Sequence, residues 1–233
     1  MCEIKPARTL HEIYEQDFLP QRENGIRDWR EWLVTQWRKQ IAFYASHSWR
    51  MMPVAVRGKR PVENRSNYST VNRKWPPLTV DQALEWVSKD FNLAVLGMNK
   101  IFWMDIDQPE ELPSWFFEAA SDYLMMRTPR GLAIPIERDV RIRIGEGNRL
   151  KKLVGLDTLR RGVTYELVPL SVTCTKDHGK TAADHRVDFG KHPCIDGGKH
   201  DLRVRDWIAP SKPLLTLGTL GRLMQHEGRR GLD

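Results

Sequence analysis

Cysteine is scarce in this sequence, which has only Cys2, Cys174 and Cys194 among its 233 residues. Three thiols cannot form the disulfide framework of a small secreted domain, so we expect them to be reduced. No apolar run approaches the roughly 18 residues that span a bilayer, and the first residues mix both charge signs, unlike a signal peptide. We therefore expect a cytoplasmic protein that does not enter a membrane.

Acidic residues are outnumbered by basic ones, 30 against 37, which gives a formal net charge of +7. A basic chain favours a polyanionic partner, and nucleic acid is the first candidate. The composition, 40% hydrophobic and 29% charged, is ordinary for a globular protein. The length suits one large domain, or one domain with an appendage.

Internal repeats are absent, and helical and strand-like patterns are mixed without regular alternation. The spacing predicts a long helix over 26–46, whose tryptophans we expect to pack in the core rather than to stack on bases. It also predicts a helix capped by Thr79, another over 111–126, and one starting near Thr216. Short strands are expected between them, with "NLAVLG" and "KIFWMDID" pairing as a hairpin.

The second of these strands ends in two acids, Asp105 and Asp107. Strand side chains alternate, so both carboxylates project from one face, while Phe102, Met104 and Ile106 should face the core. A divalent cation between the carboxylates would offset their repulsion, and oxygen ligands suit Mg²⁺ or Mn²⁺. The alternative is a strand end that runs into solvent, with Asp107 capping a following helix.

A third acid, Asp157, follows another apolar run, "LVGLD". Three carboxylates converging from neighbouring strands can form the two-metal site that orders a nucleoside triphosphate and activates an attacking hydroxyl. Glu137, Asp139 and Glu166 are possible substitutes for Asp157, because one sequence does not fix the register. These acids therefore predict phosphoryl transfer, although the same carboxylates can also serve hydrolysis by a nuclease.

Cysteines and histidines crowd into a polar, glycine-bearing segment at about 174–200 that has few apolar residues of its own. A tetrahedral Zn²⁺ site would stabilise it, held by Cys174, His178 and Cys194 with either His192 or His200. The alternative is a disordered loop, or one that contacts nucleic acid.

Several stretches occur in an order that resembles the primase-polymerase domains of the archaeo-eukaryotic primase superfamily. They are "HSWRMMPVAVRGKRPV", "KWPPLTVDQALEWV", "NLAVLGMNKIFWMDID", "RTPRGLAI", "LVGLDTLRRGVTYELVPLS" and "VRDWI". The resemblance covers roughly residues 40–210. It implies an α/β (α+β) fold with a mixed sheet and an RNA-recognition-like catalytic core, and some relatives carry a zinc-bound insertion.

Under this resemblance, Asp105 and Asp107 are the metal ligands of the first motif and Asp157 that of the third. The second motif normally has a histidine that contacts the phosphates of the incoming nucleotide, and Ala133 stands in its place. Either the phosphate contact passes to Arg127, Arg130, Lys59 or Lys74, or the site is weakened. We favour retained activity.

The resemblance implies three segments, namely an N-terminal helical segment over 1–48, the catalytic domain over 49–215 with its Cys/His insertion, and a C-terminal helix and tail over 216–233. The expected activity is template-directed nucleotidyl transfer in replication of a mobile element. Its partners would be a single-stranded template or primer-template, nucleoside triphosphates and a possible helicase. A degenerate module that binds DNA without synthesis is the main alternative.

Overall fold

The computed structural model describes residues 7–22, 25–26, 28–56, 62, 78–96, 101–106, 109–111, 114–129, 131–137, 165–174, 202–208, 211–216, 218–219 and 222. They form a mixed α/β fold, as the sequence predicts, and the sheets are mainly antiparallel. None of the helices in these ranges is long and apolar enough to cross a membrane.

The helices are mostly short, and the longest is near the N-terminus. They are α1 Leu10–Ile13, a π-helical turn Tyr14–Phe18, α2 Leu19–Arg22, α3 Trp29–Ser46, α4 Val80–Ser88, a 3₁₀ turn Pro109–Glu111 and α5 Ser114–Ala120. The strands are β1 Met51–Val54, β2 Asn92–Leu96, β3 Ile101–Ile106, β4 Met125–Arg127, β5 Leu132–Glu137, β6 Tyr165–Leu167, β7 Val172–Cys174, β8 Leu202–Val204, β9 Asp206–Ile208 and β10 Leu215–Thr216.

Caps set the first residues of the predicted helices. The carboxylate of Asp28 accepts from the backbone N–H of Glu31 at 2.8 Å, so α3 begins three residues later than its periodicity indicates. The hydroxyl of Thr79 accepts from the N–H of Gln82, and the side-chain oxygen of Gln82 accepts from the N–H of Thr79. These two hydrogen bonds form a complete capping box. Both predicted helices are therefore confirmed, with Thr79 as the cap of α4.

The predicted helix over 111–126 is shorter than expected, because α5 ends at Ala120 and Met125–Arg127 form β4. The hydroxyl of Ser121 donates to the carbonyl oxygen of Glu118, and the N–H of Tyr123 donates to the carbonyl oxygen of Ala120. Such local bonds compete with continuation of a helix. Near the other predicted helix start, Thr216 lies in β10, and its hydroxyl accepts from the N–H of Thr219 as an N-cap does.

The chain divides into two compact units, one built from residues 7–95 and 167–206, the other mainly from 96–166 and 207 onwards. The predicted boundaries at 48 and 215 stay predictions.

In the unit built from 7–95 and 167–206, aromatic side chains of the N-terminal helices pack together. The stacked rings of Trp29 and Trp32 have centroids 5.0 Å apart, and Tyr14 and Phe18 contact the Trp29 ring edge-on. Val204 joins this cluster from β8. Packing in the core, the role predicted for the tryptophans of this helix, is confirmed for Trp32 and Trp37, and Trp29 is partly buried against the cluster.

The same unit joins its strands through a buried side chain. Asn92 on β2 donates from its amide to the carbonyl oxygen of Val172 at 2.8 Å and accepts from the N–H of Val172 at 2.9 Å. The side chain thus pairs with both polar groups of one β7 residue, much as a neighbouring strand would.

The predicted hairpin between β2 and β3 is wrong. A strand has two edges, and those of β2 are occupied by β1 and β6, whereas β3 pairs antiparallel with β5 along its whole length. All five residues of β2 are buried, as in a strand covered on both faces. The short sequence between β2 and β3 is compatible with a hairpin, but it does not determine which strands pair.

The other unit holds the five-stranded sheet around β5. Ala133 pairs with Asp105 of β3 and with Met126 of β4, so β3 and β4 lie on opposite edges of β5. Both run antiparallel to β5, while β10 runs parallel to it. The order β3-α5-β4, with β5 inserted between its two strands, is a split β-α-β arrangement. It places α5 over one face of the sheet.

Candidate active site

The two faces of β3 differ in the way that the sequence predicts. Phe102, Met104 and Ile106 pack with α5 in one apolar cluster, which confirms the predicted core face. The opposite face carries Ile101, Trp103 and Asp105. Ile101 and Trp103 are 1% and 2% exposed, whereas Asp105 is half-buried. Asp105 is therefore a partly desolvated carboxylate within a buried strand.

A row of three side chains crosses the sheet at Asp105. The register pairs Asp105 with Ala133 on β5, and Ala133 with Met126 on β4. Directly opposed residues of antiparallel strands have Cβ atoms about 5 Å apart. The carboxylate of the first predicted motif therefore lies beside Ala133, the position that the resemblance predicts for the histidine of the second motif.

Ala133 and Met126 have no exposed surface. A methyl group at position 133 has no hydrogen-bond donor, so this position contributes no contact to a phosphate. Any phosphate contact in the site must come from other residues.

The turn between β4 and β5 contacts the end of β3. Gly131 precedes β5, and a Cβ atom added to it would collide with the carbonyl oxygen of Ile106. The same atom would be 3.2 Å from the Cδ of Pro109. Only glycine permits this close approach of two backbones. Gly131 is thus held against Ile106, the residue that directly precedes Asp107 in the sequence.

Thr128 closes the turn from the other side. Its backbone N–H donates to the carbonyl oxygen of Gly131 at 2.9 Å, and its hydroxyl accepts from the N–H of Gly131 at 3.0 Å. Thr128 is 3% exposed. Neither Thr128 nor Gly131 is among the predicted site residues, although Thr-Pro-Arg-Gly before an apolar run is a turn signal.

Arg127 does not share the face of Asp105. It pairs with Leu132, and strand alternation places it on the side of Leu132 and Met125, both members of the α5 cluster. The structure therefore places this predicted phosphate ligand on the helix-covered side of the sheet.

Two of the substitutes for Asp157 can also be placed. Glu137 pairs with Ile101, four residues along the strand from the pair that contains Asp105. At about 3.4 Å per residue, the Cα atoms of Glu137 and Ala133 are roughly 13 Å apart, too far for Glu137 to share an ion with Asp105. Glu166 lies on β6, in the three-stranded sheet with β2 and β1.

The remaining predicted site residues lie outside the described residues. They are Asp107, Asp139, Asp157, Lys59, Lys74, Arg130, His178, His192, Cys194 and His200. Cys174 is the last residue of β7. In the described part of the chain, no group of three His, Cys, Asp or Glu side chains could hold a metal ion.

Asp105 suits a hard cation on the chemistry of its donor atoms. Carboxylate oxygens are the ligands that Mg²⁺ and Mn²⁺ prefer, and partial burial strengthens the attraction of a carboxylate to a cation. One described carboxylate can supply only part of such a site.

No model of a protein family matches this chain, and no curated protein matches it significantly.

Proposed function

We propose that this chain is a primase-polymerase catalytic domain that carries out template-directed nucleotidyl transfer. The observation that carries the proposal is the pairing of Asp105 with Ala133. Under the resemblance, these residues belong to the first and second motifs, which lie far apart in the sequence. A sheet that makes them direct neighbours supports the assignment of both motifs.

The topology around this pair gives further support. In an RNA-recognition-like sheet, the first and second strands flank the third, and the first helix covers one face. Here β3 and β4 flank β5, and α5 packs on the face opposite Asp105. Asp105 therefore lies on the face opposite the helix, where it keeps part of its surface exposed while Ile101 and Trp103 are buried.

Asp105, Asp107 and Asp157 would hold two divalent ions, which when bound supply the charge that activates the primer hydroxyl and stabilises the triphosphate. The role of Asp105 is to present its oxygens from a rigid strand. We assign the phosphate and template contacts to Arg130, Lys59 and Lys74 rather than to Arg127. The net charge of +7 would attract the DNA template and the nucleotide over longer distances. The Cys/His segment would bind Zn²⁺ through Cys174, His178, Cys194 and His192 or His200.

One observation favours a second candidate, a replication-initiation module that binds DNA without synthesis. The position of the nucleotide-contacting histidine is a fully buried alanine. A charge-assisted hydrogen bond is worth roughly 1.5 to 3 kcal/mol, and its loss would weaken nucleotide binding by about tenfold to a hundredfold.

Primer extension with Mg²⁺ or Mn²⁺ tests the proposal. We expect the wild-type chain to incorporate labelled nucleotide, and Asp105→Asn to lower the rate by at least about a hundredfold, because the neutral amide binds a cation weakly. The matched control is Glu137→Gln, which removes a negative charge from the same sheet face outside the reach of Asp105. We expect this variant to retain the wild-type rate.

The alternatives give different results in the same assay. A wild-type chain that binds the template without incorporating nucleotide would support the non-catalytic module. Shortening of the template would indicate a metal-dependent nuclease. Equal rates for Asp105→Asn and wild type would contradict the assignment of Asp105 as a metal ligand.

A further inference from the structure

Thr128 and Gly131, at the two ends of the connection between β4 and β5, are joined by a hydrogen bond to a side chain. In a tight turn, the N–H of the fourth residue commonly donates to the backbone carbonyl of the first. Here the N–H of Gly131 donates instead to the hydroxyl of Thr128, at 3.0 Å. The N–H of Thr128 donates to the carbonyl oxygen of Gly131, at 2.9 Å. Thr128 and Gly131 are therefore joined by one backbone hydrogen bond and by one hydrogen bond to a buried hydroxyl.

This turn fixes the position of the last residue of β3. Gly131 lies so close to Ile106 that no side chain fits between them, and the next pair along the ladder joins Ile106 to Leu132. Asp105 immediately precedes Ile106, and Asp107 follows it. A shift of Gly131 would therefore be transmitted through a backbone contact to the residue between the two acids.

We propose that Thr128 and Gly131 are positioning residues for the carboxylate end of β3. The inference rests on the proposed function, since it assigns these residues to the geometry of the metal site. Ligand groups must be held to within about half an ångström of their working positions, and a supporting residue that loosens them lowers metal affinity or turnover. Thr128 and Gly131 act through the backbone of Ile106 and contact neither nucleotide nor metal.

Thr128→Val tests the inference, because it removes the hydroxyl acceptor and keeps the shape of the side chain. We expect the Kd for Mn²⁺, measured from the loss of the free-ion EPR signal without nucleotide, to rise by about tenfold to a hundredfold, as for other supporting residues of metal sites. The kcat for primer extension should fall with it. Thr128→Ser keeps the hydroxyl and should stay within about threefold of wild type.

The matched control is Thr216→Val, in the same unit. The hydroxyl of Thr216 accepts from the N–H of Thr219 at 3.0 Å, an equivalent bond at the end of β10. This variant should lower Tm as Thr128→Val does, with no change in Mn²⁺ affinity. If Thr128→Val does not fold, Thr128→Ala, which removes the same acceptor without adding volume, is measured in its place.

Asp105→Asn, measured in the same series, separates the two proposals. If it loses Mn²⁺ binding and incorporation while the Thr128 variant that lacks the hydroxyl keeps both, the positioning role is wrong and the proposed function stands. If the Thr128 and Thr216 variants weaken Mn²⁺ binding equally, the effect is one of general stability, and the inference is again overturned. If Asp105→Asn matches wild type in both measurements, the metal site is wrong and the inference falls with it.

Discussion

A single carboxylate stands out at the scale of residues. Asp105 keeps part of its surface exposed, whereas Ile101 and Trp103 on the same face are buried. Partial burial without compensation disfavours a charged carboxylate, so such a residue is retained where a cation or hydrogen-bond donors stabilise the charge.

Ala133→His would introduce the histidine that the proposed second motif carries in the family that the chain resembles. Because Ala133 has no exposed surface, we expect the larger ring to overpack the sheet and to lower the free energy of unfolding by about 1 to 3 kcal/mol. We expect no fall in the nucleotide KM, since a buried ring cannot reach a phosphate in solution. Urea denaturation and primer extension measure the two effects.

Ala42→His is the control for this substitution, since Ala42 is exposed on α3. Its cost should not exceed the difference in helix propensity, about 0.7 kcal/mol. A stable Ala133→His variant with a lower KM would show instead that the site has room for the histidine and that only the residue itself is missing.

Caps decide where helices begin, and the cap of α1 also makes stability depend on pH. The N–H of Thr9 donates to the carboxylate of Glu12 at 2.6 Å, and the hydroxyl of Thr9 donates to the same oxygen at 2.8 Å. These hydrogen bonds, first the backbone one and then the hydroxyl one, lower the pKa of Glu12. The charged form of Glu12 thus stabilises the folded state.

Glu12→Gln should therefore lower Tm at neutral pH and lose this effect in acid. The pKa of Glu12 is lower in the folded state, so its contribution is complete above the unfolded value of about 4.3 and disappears as the pH falls through the folded value. Thermal unfolding of both proteins across this range measures the difference. A gap in Tm that stays constant down to the lowest pH would contradict the role of the charge.

At the scale of the whole molecule, Arg8 joins segments from opposite ends of the sequence. Its guanidinium donates to both carboxylate oxygens of Asp17, at 2.7 and 3.0 Å, and its Nε donates to Asp206 at 3.2 Å. The π-helical turn and β9 thereby contact one planar cation. A lysine cannot reproduce this fork.

We expect Arg8→Lys to lower the free energy of unfolding by about 1 to 2 kcal/mol, because it loses paired charge-assisted hydrogen bonds. Arg30→Lys is the control. Arg30 and Asp90 are 3.8 Å apart with side chains 65% and 69% exposed, so the change should stay within about 0.5 kcal/mol. Equal losses in the two variants, measured by urea denaturation, would show that Arg8 contributes only as a surface charge.

The sequence alone determined the features that depend on neighbours within a few residues. The start of α4 at Thr79 and the two faces of β3 follow from capping and from alternation along one strand, so they could be predicted. The resemblance likewise predicted Asp105 and Ala133 as motif positions, but it did not predict that they are neighbours in the sheet.

Only the tertiary structure decided which strands meet. In the structure β2 and β3 do not pair, and Asp105 pairs with Ala133. Arg127 lies on the side of the sheet that α5 covers, and Glu137 is too far from Asp105 to share an ion with it. Gly131 lies against Ile106. Strand pairing joins residues that are distant in the chain, and it depends on which edges other strands already occupy. A local sequence pattern does not predict which strands pair, because one strand can satisfy its hydrogen bonds equally well beside several partners.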